Sequence, residues 1–205
     1  MMYLQLIIIA IVAYLIGSIP TGYLVVKKLK GIDIRTTGSG STGATNVKRQ
    51  LGTKWFIGVM LIDAIKGFIA TYVTYKFFDT SSMVGLAPVV ASVAVILGHC
   101  KSIFLGFTGG KSVATGVGTL IALCPAVGWS CAGIWAFITF FSKYVSLGSV
   151  IALSLSPILM NMFFPNPYYI WYSSILAVFV VFTHKANIER LIAGTESKIG
   201  SSKKQ

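Results

Sequence analysis

The chain alternates between long apolar stretches and short, polar, glycine-rich connections. Apolar runs occupy Leu4–Val26, Trp55–Tyr75, Val84–Leu97, Val113–Ala126, Val127–Phe141, Leu147–Phe163 and Tyr168–Thr183. A helix perpendicular to the bilayer needs ~20 such residues to cross the hydrocarbon, so several runs reach across only with loop residues added or in a thinned bilayer. The pattern predicts an all-α fold: a polytopic membrane helix bundle of about seven transmembrane helices. The joint at Val113–Phe141 admits a second reading, one re-entrant hairpin in place of two spans. The first run lacks a basic n-region and is followed by Lys27, Lys28 and Lys30, so it reads as a retained signal-anchor helix. Residues 1–197 are expected to form a single transmembrane domain, and the Ser- and Lys-containing 198–205 a disordered tail.

Composition agrees, and charge adds a direction. Of 205 residues, 55% are hydrophobic and 11% charged, with a net charge of +12 from 17 Lys and Arg against 5 Asp and Glu. In a soluble domain that excess would suggest nucleic acid, but no nucleic-acid motif and no soluble domain are present. In a membrane protein it speaks first of topology. With the N-terminus outside and connections assigned alternately, 15 of the 17 basic residues fall on inside segments. Lys66 lies within a span and Lys76 outside. The C-terminus is then cytoplasmic, and the outer connections are Phe77–Met83, Cys124–Pro125 and Pro165–Pro167. Cys100, Cys124 and Cys131 show no metal-ligand or disulfide spacing and read as small apolar helix residues, so no metal and no cofactor are expected.

The inside segments carry the chemistry. The first runs Gly38-Ser-Gly-Ser-Thr-Gly-Ala-Thr-Asn46-Val-Lys-Arg49-Gln-Leu-Gly52, and the second runs from Gly98-His-Cys-Lys to Thr108-Gly-Gly110-Lys111-Ser-Val-Ala-Thr115. The third is Lys143-Tyr-Val-Ser146-Leu-Gly-Ser149, and the tail opens His184-Lys-Ala-Asn187-Ile-Glu-Arg190. Glycine allows close backbone approach, Ser, Thr and Asn supply neutral hydrogen-bonding groups, and Lys and Arg supply charge. Two segments run from a loop into a helix start, where unpaired N–H groups favour anions. Together these features describe oxyanion binding, with Arg49 able to grip bidentately and Lys111 acting as a compact charge. An electropositive site of this kind suits two phosphorylated substrates.

Several patterns point elsewhere and are set aside. Gly38-x-Gly40-x-x-Gly43 has no preceding strand, and the segment ending Gly110-Lys111-Ser112 is one residue short of a P-loop. His184 and Glu189 are five apart on a helix and do not face each other. Asp63 and Lys66, three apart within the second span, are expected to neutralise each other structurally. His99 reads equally as a hydrogen-bonded structural residue and as a catalytic one. A small transporter for a phosphorylated solute is the competing class, but it would need polar lining from both faces, and here the polar groups collect on one.

These residues resemble the bacterial acyl-phosphate:glycerol-3-phosphate acyltransferase family. Its motifs run S-G-N-x-G-A-T-N-x-x-R-x-L-G, G-H-x-x-P-V-F-x-x-F-x-G-G-K-x-V-A-T and R/K-Y-x-S-L-A/G-S, with a tail H-x-x-N-I-x-R-L-x-x-G-x-E. Here they stand at Ser39–Gly52, Gly98–Thr115, Lys143–Ser149 and His184–Glu196. Ser41 replaces the usual Asn and Ser102 the usual Pro. The resemblance implies transfer of a fatty acyl group from acyl phosphate to glycerol-3-phosphate, giving 1-acyl-glycerol-3-phosphate (lysophosphatidic acid) and phosphate, the first acylation of phospholipid biosynthesis. It implies an enzyme of the bacterial plasma (inner) membrane, working on membrane lipid precursors from the cytoplasmic side without acyl carrier protein. By motif position Lys111, His184, Asn187 and Ser149 are the implied catalytic residues. Ser39, Asn46, Arg49, Gly110 and Ser146 are implied to bind substrate or shape the site. Transfer is expected to be direct, with His184 as general base or only a hydrogen-bonding group.

Overall fold

The computed structural model describes residues 2–78 and 85–200. Most of the expected outer connection Phe77–Met83, and residues 201–205 of the expected tail, lie outside the described residues. The described chain is helical, with one isolated bridge between Ser102 and Thr108.

The helices, in order, are α1 (Met2–Ser18), α2 (Thr21–Lys30), α3 (Ala44–Leu51), α4 (Thr53–Phe78), α5 (Leu86–Cys100) and α6 (Val113–Leu123). There follow α7 (Pro125–Ser142), α8 (Val145–Ser154), α9 (Ser156–Phe163), α10 (Pro167–Thr183) and α11 (Lys185–Ile192). Prolines set several starts: Pro125 and Pro167 occupy first-turn positions, where a missing N–H costs nothing. Pro20 interrupts the first apolar run after Ile19, and the Ile19 carbonyl there accepts from Lys66 Nζ at 3.0 Å as well as from Thr21 N–H at 3.1 Å.

Among the described residues, four helical units are long and apolar enough to cross a membrane: Met2–Lys30, Thr53–Phe78, Pro125–Ser142 and Val145–Phe163. Leu86–Cys100, Val113–Leu123 and Pro167–Thr183 are apolar but shorter. Large side chains such as Leu4, Ile8, Ile62, Trp171 and Phe182 are exposed around the outside. In water such a surface would aggregate, whereas in lipid it is the ordinary exterior.

Connections gather at two ends. Met2, Phe78 and Leu86 line one cavity, and Gly85 sits against Asn166 and Tyr169, so these junctions share the first end. The second end carries the 31–43 and 101–112 loops, the α7–α8 turn and α11. There Val26, Ile34, Val47 and Val59 form a small apolar core that seats the first loop.

Glycines bring the interior helices close. A Cβ at Gly17 would strike the Val95 backbone, and one at Gly98 the Tyr14 carbonyl, which locks α1 to α5. Gly67 and Gly118 do the same for α4 and α6, against Thr115 and Ala64. Helix α6 is shorter than the expected Val113–Ala126 run, because the chain turns at Cys124 and Pro125 re-initiates a helix. Eleven residues rise only ~16 Å, about half of the ~30 Å hydrocarbon thickness. Ser112, immediately before α6, is 1% exposed, so the end of the preceding loop is buried.

Candidate functional site

The first loop is folded around one side chain. Asn46, 1% exposed, directs Nδ2 at the carbonyls of Ile34, Thr37 and Ser41 at 3.2, 3.0 and 2.9 Å, while its Oδ1 accepts from Ser39 N–H at 3.3 Å. All of its polar capacity is spent on backbone, so Asn46 shapes the loop and does not present a group to a ligand. Arg35 then ties this loop to the second one, donating from Nη1 to Leu105 O at 3.1 Å and Thr108 Oγ1 at 3.2 Å. Its remaining guanidinium edge pairs with Asp33, which holds that carboxyl below the usual range.

Both departures from the family motifs are accommodated. Ser41 Oγ accepts Gly43 N–H at 3.2 Å, a turn bond of the kind an Asn side chain makes. Ser102 Oγ donates to Ser18 O at 2.6 Å, and its N–H donates to Thr108 O at 3.3 Å, a bond that proline could not make.

The second loop ends in a tight wrap on α5. Ser112 takes a left-handed conformation (φ 56°), unfavourable for a residue with a Cβ, and is held there by its hydroxyl, which donates to Ile96 O at 3.0 Å. Beside it, Lys111 points across the bundle and donates from Nζ to Asn187 Oδ1 on α11. Asn187 Nδ2 donates in turn to Glu196 Oε1 at 2.6 Å. The same carboxylate accepts from Ser146 Oγ at 2.7 Å and pairs with Arg190 Nε at 2.7 Å. Burial raises the Glu196 carboxyl, but the bonds from Asn187, Ser146 and Arg190 outweigh it and hold the group below its ordinary value.

His184 closes this cluster between α10 and α11. It is 3% exposed, and Nδ1 lies 2.9 Å from Val180 O, so Nδ1 carries the proton and Nε2 is left as acceptor. Burial, with the Lys111 charge beside it, pushes its pKa down to about 4, so the ring is neutral near pH 7. Lys111 is also lowered, by burial first and then by Arg190 and Arg49. Ser149 lies one turn beyond Ser146 on α8 and donates to Val145 O at 2.8 Å, which leaves its oxygen as an acceptor.

The structure thus joins Lys111, Asn187 and Ser146 in one hydrogen-bonded network, with His184 alongside. Arg49 and Ser39 are exposed, and among the described residues no hydrogen bond links either side chain to that network. Gly110 packs on the His99 ring and its own N–H donates to His99 O at 3.1 Å. Glu196 is the organising group that sequence reasoning did not single out; its one signal was its place as the last letter of the tail motif. Among the described residues Lys111 and Arg49 have no carboxylate partner, since Glu196 is engaged by Arg190 and reaches Lys111 only through Asn187.

The N-termini of α6, α8 and α11 meet around this network, and none is capped by a side-chain hydrogen bond. Each such end offers unpaired N–H groups and partial positive charge. Two cations without a carboxylate partner among the described residues, open helix ends and acceptor oxygens at one end of the bundle can hold a phosphate and orient a hydroxyl beside it.

Comparison with known proteins agrees with this chemistry. A family model described as glycerol-3-phosphate acyltransferase matches residues 7–194. A glycerol-3-phosphate acyltransferase of Nostoc sp. is 46% identical, with 94% of this chain and 91% of that protein covered. That of Clostridioides difficile is 42% identical, covering 96% of this chain and 97% of its own. Crystal structures of PlsY (YgiH), an integral membrane glycerol 3-phosphate acyltransferase, are similar at 34% identity, in a glycerol 3-phosphate form (TM-score 0.88) and a lysophosphatidic acid form (TM-score 0.85). The two cover 95% of this chain, and 96% and 95% of their own. From the all-helical apolar bundle to the motif-bearing loops at one end, this multi-pass membrane protein belongs to the glycerol-3-phosphate acyltransferase family.

Proposed function

We propose that the protein transfers a long-chain acyl group from acyl phosphate to glycerol-3-phosphate, releasing phosphate and 1-acyl-glycerol-3-phosphate. The observation that supports this most is the charge inventory of the site. Lys111 is held by an amide oxygen and, among the described residues, Arg49 has no ion-pair partner, so two positive charges await anions, while Glu196 is neutralised in place by Arg190.

The glycerol hydroxyl oxygen attacks the acyl carbonyl carbon, a tetrahedral oxyanion forms, and the bond from that carbon to the phosphate oxygen breaks. Phosphate is a good leaving group, so stabilising charge and holding the two substrates in line matter more than acid catalysis. Lys111 and the open start of α6 stabilise negative charge on the donor phosphate and on the oxyanion. Arg49 grips a phosphate bidentately, with Ser39 beside it. His184 Nε2 accepts from the attacking hydroxyl and orients it, and Ser149 Oγ accepts from the second glycerol hydroxyl. A ring with a pKa of about 4 is too weak a base to keep the proton, which passes to an oxygen of the departing phosphate. Asn187, Ser146 and Gly110 place Lys111, and Asn46 places the first loop.

In the same reading residues 1–197 are one transmembrane domain of seven spans, the N-terminus outside and the C-terminus in the cytoplasm of a bacterial cell. The short helices α5, α6 and α10 complete the count, and the site faces the cytoplasmic side of the plasma membrane, where glycerol-3-phosphate is found. The reading needs no metal, cofactor or acyl carrier protein.

Purified protein supplied with glycerol-3-phosphate and palmitoyl phosphate tests it. Phosphate and 1-acyl-glycerol-3-phosphate should appear in equal amounts, with no product from palmitoyl-CoA or from glycerol. Turnover of palmitoyl-CoA without acyl phosphate would remove the donor assignment.

A further inference from the structure

Behind the loop that bears Lys111 lies a buried ionisable cluster that the proposed chemistry does not use. Asp63 and Lys66 on α4 and His99 on the last turn of α5 are 2%, 7% and 8% exposed. Lys66 Nζ lies 2.9 Å from Asp63 Oδ1 and donates to Ile19 O at the α1–α2 break. His99 Nδ1 faces the same Asp63 oxygen at 3.7 Å, too long for a hydrogen bond but close enough for the carboxylate to orient the ring. The cluster therefore ties α4, α5 and the first break together.

The other edge of that ring meets the loop bearing Lys111. A Cβ built on Gly110 would overlap His99 Nε2, and one on Gly109 would overlap the carbonyls of His99 and Cys100. Gly110 N–H donates to His99 O at 3.1 Å, and Ser112 Oγ donates to Ile96 O at 3.0 Å. Gly109, Gly110 and Ser112 thus pack onto the last turn of α5, and Lys111 alone among the four points the other way, to Asn187.

We infer that His99 is a positioning residue: its imidazole, oriented from behind by Asp63, is the surface on which Gly110 rests, and its thickness sets how far Lys111 reaches. His99 touches no substrate, because Gly110 covers the Nε2 edge. The inference rests on the proposed role of Lys111. It also explains why the residue before Lys111 is glycine: anything larger lifts the loop off its support and carries the ammonium with it. A displacement of about 1 Å in a group that stabilises charge is enough to cost ~100-fold in rate.

A suppression experiment tests it on the purified full-length protein in detergent. Gly110→Ala should lower kcat/KM by about 10- to 100-fold, and His99→Ala by about tenfold. In the double variant the new methyl occupies the space the ring has left. Its kcat/KM should then match His99→Ala alone within about twofold, so that one substitution suppresses the other. A structural role for His99 elsewhere, or direct contact of Gly110 with substrate, gives losses that multiply, and that result overturns the inference. Should His99→Ala fail to survive extraction, His99→Asn runs the same cycle, since it shortens the side chain while keeping a polar group towards Asp63. Multiplying losses with Lys111→Ala inactive sink this inference and leave the proposed function standing. Lys111→Ala at wild-type activity sinks both.

Discussion

Lys111 is charged yet more than half withdrawn from water, and that combination has a measurable consequence. Burial and two neighbouring cations lower its pKa below the ordinary 10.5, so its charge is lost earlier as pH rises than that of a surface lysine. The alkaline limb of kcat/KM, which reports the free enzyme, should therefore fall below that value, where substrate phosphates are already fully ionised. Lys111→Arg should abolish the limb, because guanidinium stays charged throughout, while recovering only part of the rate. An unchanged limb in that variant would assign the titration to another group. Asn46 is a second residue with a clear expectation. Asn46→Ala leaves three loop carbonyls and the Ser39 N–H without their partner and should cost ~1–3 kcal/mol in detergent unfolding, with activity falling as the first loop loosens. Equal thermal midpoints for Asn46→Ala and wild type would remove the structural role assigned to it.

Helices were legible in the chain to the extent that apolar runs declare themselves. The apolar helices, the Pro-led starts of α7 and α10 and the polar loops at one end follow from residue pattern, but the breaks at Pro20 and Leu155 within two of the apolar runs were not marked out. Nor was the early end of α6, because Cys124 is apolar and continues the run even as the chain turns. The network around Glu196 was equally hidden. Its contacts reach back 50 residues to Ser146 and 9 to Asn187, and no local spacing encodes either. Lys111 and Asn187 were legible singly through the motifs, but their meeting across 76 residues was not. Glycine sets how closely α4 and α6 pack: Gly67 lets α4 lie directly against the Thr115 backbone. Gly67→Leu has no room and should prevent close α4–α6 packing, lowering the yield of folded, monodisperse protein sharply. Gly58→Leu, at a position where a Cβ meets open space, is the matched control and should extract like wild type. Similar losses from both would mean that lipid-facing bulk, not helix approach, is what the bundle resists.

Basic residues collect at one end of the bundle, and 15 of 17 fall on segments assigned to the cytoplasm. A reporter fused after Gln205 should read cytoplasm and one placed within 77–83 should read exterior; the reverse at either point breaks the assignment. The chemical claim is that the same end holds a discrete phosphate site built on Lys111 and Arg49, not a diffuse positive surface. Its most direct test is the initial rate of phosphate release from palmitoyl phosphate in the presence of glycerol-3-phosphate, at saturating substrate and matched levels of inserted protein. Lys111→Ala and Arg49→Lys should each lose about 100-fold or more, since one removes the charge and the other the bidentate grip. Lys28→Ala, which takes the same unit of charge from the end of α2, should stay near wild type. Equal losses from Lys111→Ala and Lys28→Ala would contradict the account.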